Sequence, residues 1–216
     1  VAIIFLLALP AFKKRNLRNI ILLSLIGSLF HIVSIFIILA YFFVQIVKEI
    51  NVPKEILLIS ASSLVGTIFF FPDLFRFMIP DRYYGYLSGY YAQGNWIFNP
   101  VFIMQLGILV GATIFVKSNN SIFTKNFNIL LTLYCLSTIL LVCFGPLATI
   151  GGRISTIFST VEIFIVPILL DNLFKNKFLF LLVFILFSLL IFILIFIVSG
   201  AYNSYIPYNM VFFINR

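Results

Sequence analysis

Charge is what this chain has least of. Only 9% of its 216 residues are Asp, Glu, Lys or Arg, and 6 of them are acidic. Soluble domains carry about 25% charged residues, so a chain that is 63% hydrophobic, with a mean hydropathy of +1.21, is not a soluble globular fold. Histidine occurs once and cysteine twice. Cys135 and Cys143 lie in one apolar run without metal-ligand spacing, which leaves neither a metal centre nor a disulfide framework to build from. They read as small buried hydrophobes. Also absent are a Gly-rich phosphate loop, HExxH, CxxC and GxSxG. ATP-driven chemistry and zinc hydrolysis therefore have no motif to stand on, and no cofactor or metal is expected.

The charge that is present is mostly positive, for a net of +8. In a soluble domain this would point to nucleic acid. Here the cations sit between apolar runs, where they act as determinants of membrane topology, so nucleic-acid binding is not expected. The expected fold is an all-α, polytopic transmembrane helical bundle with re-entrant or broken helices and an extracytoplasmic, aromatic-rich loop. Residues 1–216 read as a single integral-membrane domain. Val1 to Leu9 is too short for a span of about 20 residues and is followed, not preceded, by Lys13, Lys14 and Arg15, unlike a signal peptide. It reads as the tail of a span stopped by Pro10, in a chain whose N-terminal spans are missing.

Lys13, Lys14, Arg15 and Arg18 form the strongest basic cluster, and the positive-inside rule makes that loop cytoplasmic. The same rule makes the loop at Lys117 and Lys125, and that at Lys175 and Lys177, cytoplasmic. An even number of crossings must separate the first two loops. Ile56 to Phe71 and Val101 to Val116 supply two. The 28 residues from Ile20 to Val47, too long for one span and too short for two, then contribute zero or two. Either they form one long tilted helix, or two half-length helices meet near His31, beside Gly27, Ser28 and Ser34. Parity favours the re-entrant pair, with Lys48, Glu49, Lys54 and Glu55 back on the cytoplasmic side, although a re-entrant 56–71 satisfies it too. Further spans are expected from Phe127 to Ile150, Ile154 to Leu170 and Phe178 to Val198.

Gly151 to Glu162 places an arginine, a glutamate and four hydroxyls in a sequence that is otherwise nearly all hydrocarbon. On a continuous helix at about 100° per residue, with Arg153 at zero, the side chains of Glu162, Ser155, Ser159, Thr156, Thr160 and Arg153 cover roughly 180° to 360°. Ile154, Ile157, Phe158 and Val161 fill the other half. An ionisable side chain within a membrane costs about 2.5–3.5 kcal/mol on insertion scales, so the polar half is expected to line a wet cavity at the extracytoplasmic end. On this projection Arg153 and Glu162 stand about 13 Å apart along the axis, on nearly opposite sides. Each needs another partner.

The longest non-hydrophobic stretch runs from Phe71 to Pro100 and contains Asp73, Arg76, Asp81, Arg82, five tyrosines between Tyr83 and Tyr91, and the sole tryptophan, Trp96. It reads as an interfacial aromatic belt or as a sugar-binding loop, in which rings such as Tyr84 and Trp96 stack on sugar faces and Asp, Arg, Gln and Asn bond hydroxyls. Arg76, Arg82 and Arg153 suit a bidentate phosphate on the outer side; snorkelling to headgroups or pairing with Asp73 or Asp81 is the structural alternative. Glu162 reads as a base or hydroxyl-orienting group, or as a bond to a neighbouring helix. His31 reads as an acid or base, or as an interhelical hydrogen bond.

Leu29-Phe30-His31 with Ser34, then Gly151-Gly152-Arg153-Ile154 with Glu162 and Pro167, then Tyr205-Ile206-Pro207-Tyr208, resemble the EpsG/Wzy group of polysaccharide polymerases. The resemblance covers most of the chain, as the C-terminal part of a longer member. It implies a membrane glycosyltransferase that joins undecaprenyl-diphosphate-linked repeat units of O-antigen (the lipopolysaccharide polymer), capsule or exopolysaccharide on the outer side of the bacterial inner membrane. His31, Arg153 and Glu162 would be catalytic, and Arg76, Asp81, Arg82, Tyr84, Trp96 and Thr156 would bind substrate. The implied partners are lipid-linked oligosaccharides, membrane lipids, a chain-length regulator and a flippase. From other classes, a flippase for lipid-linked sugars would line a path with the same charges, and a structural subunit would use them for assembly alone.

Overall fold

The computed structural model describes residues 1–47, 50–69, 100–117, 121–144 and 148–193; these are helical with short links and contain no strand. They fall into two compact units, Val1–Asn172 and Leu173–Arg216.

The first unit opens with α1 (Ala2–Lys13), which runs through Pro10 instead of stopping there. Burial of Ala8, Ala11 and Phe12 holds the helix past the missing N–H of proline. It ends three residues later in a Schellman turn: Arg15 N donates to Phe12 O at 3.2 Å and Asn16 N to Ala11 O at 2.9 Å. Arg15 takes the left-handed position, φ 53°, where glycine is usual. Asn16 then caps α2 (Leu17–Phe30), its Oδ1 accepting from Asn19 N at 3.2 Å.

The chain breaks at His31. A 3-10 turn, Ile32–Ile35, leads into α3 (Phe36–Ile46), which doubles back along α2. Ser24 Oγ donates to Ser34 O at 2.8 Å. At the open end, Tyr41 Oη donates to Arg15 O at 3.0 Å, and the Tyr41 ring meets Phe12 at 6.2 Å. Of the two readings of residues 20–47, the pair of half-length helices meeting at His31 is the one the chain adopts. Each is short: 14 residues rise about 21 Å, against a hydrocarbon core of about 30 Å.

Asn51 Oδ1 accepts from Lys54 N at 3.0 Å and opens α4 (Val52–Phe69) beside the base of this hairpin. α5 (Pro100–Phe115) brings Thr113 to Glu55, the hydroxyl donating to Oε1 at 2.5 Å. α6 (Ser121–Cys143) runs alongside α4, with Gly66 against the Cys143 carbonyl. α7 (Ala148–Ser159) returns antiparallel along α6, and α8 (Glu162–Leu173) continues at a 55° bend. The span expected as one helix, Ile154 to Leu170, is thus a broken pair. Contacts followed in this way gather Lys13, Lys14, Arg15, Lys54, Lys117 and Lys125 at one end of the unit, called basal. The His31 tip, Gly66, Cys143 and Arg153 lie toward the other, distal end.

Among the described residues one helix, Ile122–Cys143, is by itself long and apolar enough to cross a membrane; the bent pair Gly151–Ser159 and Glu162–Leu173 makes a second when taken together. The 16-residue α5 reaches about 24 Å. Large apolar side chains are nevertheless exposed on nearly every element, with Leu29 85% and Phe30 76% accessible at the hairpin tip. Soluble monomers rarely expose large apolar patches. The second unit contributes α9 (Lys177–Phe192), capped by Asn176 and apolar on every side with no buried residue, as befits a helix facing hydrocarbon.

Two glycines set helix spacing. A Cβ on Gly27 would sit 2.7 Å from Ser34 Cβ and Oγ, and one on Gly66 would run into the α6 backbone at Cys143. Gly107 has nothing within 4 Å. Gly27→Ala and Gly66→Ala are therefore expected to destabilise by about 1–3 kcal/mol through overpacking, whereas Gly107→Ala should be neutral or stabilise by about 0.5–1 kcal/mol. Thermal unfolding of the purified protein in detergent measures the three; equal shifts would show that neither close approach matters.

Candidate functional site

α7 is where the polar residues of the Gly151–Glu162 stretch are sorted by depth. Ile154, Ile157 and Phe158 are buried, and Phe158 meets the Phe5 ring edge-on at 5.1 Å, anchoring α7 to α1. Arg153 and Thr156 are exposed, and Ser159 and Thr160 half-buried. Ser155 departs from the expected polar half. It is buried, with Ser137 Oγ within 2.9 Å of both its carbonyl oxygen and its Oγ. Gln105 Nε2 reaches the Oγ of both serines at 3.4 Å, so α5, α6 and α7 share one buried polar contact. Gln105 Oε1 is buried without a hydrogen-bond partner among the described residues.

The exposed hydroxyls are tied to their own helix. Thr156 Oγ1 donates to Gly152 O at 2.7 Å, Thr160 Oγ1 to Thr156 O at 3.0 Å and Ser159 Oγ to Thr156 O at 3.2 Å. Such back-bonding bends helices, and α7 ends here. The link is stitched by short-range bonds, Val161 N to Phe158 O at 3.4 Å and Ile163 N to Thr160 O at 3.3 Å. Glu162 starts a new helix, so the straight-helix projection that set it about 13 Å from Arg153 does not describe this chain. What positions Glu162 is α6: Tyr134 Oη donates to Glu162 Oε2 at 3.3 Å. With its proton engaged this way, Thr156 can offer a substrate only its lone pairs.

His31 lies exposed at the hairpin tip, where it caps the 3-10 turn by accepting from Val33 N through Nδ1 at 3.3 Å. An Nδ1 that accepts carries no proton, which places the ring proton on Nε2. The free edge of the ring is then a donor. The expected alternative of an interhelical hydrogen bond gives way to this local cap, made within its own turn. His31, Arg153 and Glu162 stand on three separate elements, α2–α3, α7 and α8. Arg76, Asp81, Arg82, Tyr84 and Trp96, with the whole aromatic loop, lie outside the described residues.

The profile of the EpsG family matches residues 1–210. The chain belongs to the EpsG family. No curated protein and no solved structure matches it. EpsG membership brings membrane association and, in general terms, a glycosyltransferase-like role in polysaccharide polymerisation.

Three polar residues of this EpsG chain went unremarked in the sequence. Gln105 is the one amide in an apolar run, and Ser137 and Tyr134 sit inside another; that isolation was the available signal, since a lone polar residue at depth must find a partner. Glu55, expected at the cytoplasmic surface, is fully buried, with Oε2 lacking a partner among the described residues. Ser137 is the centre of its cluster and Gln105 its edge. Ser137→Ala removes both short bonds to Ser155 and leaves only the long Gln105–Ser155 contact, and is expected to cost about 1–3 kcal/mol, while Gln105→Leu removes two long bonds together with an orphaned acceptor and should cost under about 1 kcal/mol. Unfolding midpoints of the two variants in detergent test the order; the reverse order would refute it.

Proposed function

We propose that this EpsG family chain polymerises oligosaccharide repeat units carried on undecaprenyl diphosphate, as a multi-pass glycosyltransferase at the outer face of the bacterial cytoplasmic membrane. Residues 1–216 act in this reading as one membrane domain. The single observation that carries it is the polarity of the bundle: its cationic links converge on the basal end, and exposed Arg153 lies toward the opposite end. With the cationic end cytoplasmic, Arg153 faces the side on which lipid-linked units are presented.

In the proposed reaction an acceptor sugar hydroxyl attacks the anomeric carbon of the donor unit. The new C–O bond forms as the bond to the diphosphate breaks, and the polyprenyl diphosphate leaves with the bonding pair. Arg153 holds that diphosphate through its planar fork and compensates the charge that develops on it. Glu162 takes the hydroxyl proton, held in orientation by Tyr134. His31, with its proton on Nε2, donates a hydrogen bond to a phosphate oxygen. Arg76 and Arg82 add to the anion site; Asp81, Tyr84, Trp96 and Thr156 bind sugar. A chain-length regulator and a flippase complete the proposed set of partners.

Complementation of a strain lacking the native gene, scored by polysaccharide ladders at matched expression, tests this. Glu162→Gln should lower polymerisation by about 10²–10⁴-fold, the usual worth of a positioned base. Arg153→Ala should collapse the ladder to single units, and Arg153→Lys, which keeps charge but loses the fork, should restore only short chains. His31→Gln should retain more polymer than His31→Ala. Ladders unchanged in all five variants would reject the site. Accumulation of untranslocated lipid-linked units in the strain lacking the gene would identify a flippase instead.

A further inference from the structure

A groove of about 400 Å³ opens at the basal end between the last turn of α1 and the second and third turns of α6. Its volume falls within the range of ligand clefts, about 300–1,000 Å³. The walls are hydrocarbon: Leu9 and Pro10 from α1, Ile129 and Leu130 from α6. Lys13 and Lys14 line the groove from the α1 side and Asn126 from the α6 side, and the lining is almost wholly apolar, so the lysines contribute their methylene stems. Both lysines are exposed and Asn126 half-buried. Pro10, exposed on this face, offers a flat ring and no N–H, so the α1 wall has no backbone donor at that position.

We propose that this groove is a binding site for an anionic glycerophospholipid of the cytoplasmic leaflet, with an acyl chain lying along Leu9, Pro10, Ile129 and Leu130. Lys13 and Lys14 pair with the phosphodiester, and the Asn126 amide donates to a phosphate or ester oxygen. An apolar trough edged by two exposed lysines, whose stems line it and whose ammonium groups are left to solvent, matches an amphiphile with one anionic head. Basic pockets between membrane helices on the cytoplasmic side hold anionic headgroups on this principle. The leaflet assignment rests on the orientation proposed above. That orientation also tells against the lipid-linked substrate as occupant, because its diphosphate belongs with Arg153, toward the distal end beyond the level of Ser137. A lipid seated here would bridge α1 and α6, and so support the base of the α2–α3 hairpin that α1 and Tyr41 hold in place.

Native mass spectrometry of the detergent-purified protein, titrated with phosphatidylglycerol or with phosphatidylethanolamine of the same chains, tests the site. Preferential retention of phosphatidylglycerol is expected. The Lys13→Gln, Lys14→Gln double variant should weaken it by about thirtyfold, the worth of two lysines at an anionic headgroup. Ile129→Trp keeps both lysines but fills the trough, and should lower retention of both lipids. Equal retention of the two lipids by the unaltered protein overturns the proposal, as does retention that neither variant changes. A preference for undecaprenyl phosphate over phosphatidylglycerol, or a lipid-free dimer that Ile129→Trp dissociates, overturns it in favour of that occupant. Orientation is read separately, by labelling Lys117→Cys and Lys125→Cys with an impermeant maleimide in intact and inverted vesicles. Labelling in intact vesicles would reject the leaflet and the polymerase orientation together while leaving the lipid titration to stand or fall alone.

Discussion

The buried hydroxyl of Ser137 is where α5, α6 and α7 agree on a register. Helices surrounded by hydrocarbon gain little from burying more hydrocarbon, so packing of small residues and scarce polar contacts decide how they sit. Ser137 reaches the Ser155 carbonyl and Oγ, and Gln105 closes the contact from α5. One turn below, Tyr134 reaches Glu162. These bonds place the two halves of the broken α7–α8 pair against one face of α6. With Ser155 drawn inward, Arg153 and Thr156 are left facing outward. The exposure of the proposed diphosphate ligand is thus a consequence of a buried serine two residues away.

The hairpin obeys the same rule by a different route. Its two helices approach closely because Gly27 has no side chain where Ser34 passes, and Ser24 supplies the bond that fixes their offset. Interrupting a helix exposes backbone groups, which must be satisfied locally when water is scarce. The His31 imidazole does this by accepting the Val33 N–H. A residue that looked like an acid or base from its rarity therefore has a structural duty first, and that duty selects the tautomer available for chemistry.

Much of this was legible in the sequence, wherever length or charge carried the argument. A 28-residue apolar run that fits neither one span nor two left a long tilted helix or a pair meeting near His31, and parity favoured the pair that the chain adopts. The grouping of Lys13, Lys117 and Lys125 at one end followed from charge and parity alone. What was not legible depended on departures from ideal helices. Pro10 does not end α1, because buried Phe12 and Ala11 hold the helix past it. Ser155 belongs to the polar half on a wheel, yet the wheel has no knowledge of Ser137. Glu55, three residues into a helix that was expected to begin at Ile56, is buried instead of solvated.

The bend between α7 and α8 changes what Arg153 and Glu162 can be to each other. On a straight helix their separation is fixed by rise and twist, and no motion short of unwinding alters it. Across a 55° break their relation is set by two link residues, Thr160 and Val161, and by what each half is bonded to. Ser137 holds the Arg153 half and Tyr134 holds the Glu162 half, from adjacent turns of one helix. α6 therefore acts as the template on which Arg153, the proposed anion ligand, and the Glu162 carboxylate are spaced from different helices. In the proposed reaction, which holds a diphosphate at one point and a hydroxyl at another, that division of labour would follow from the break at Thr160.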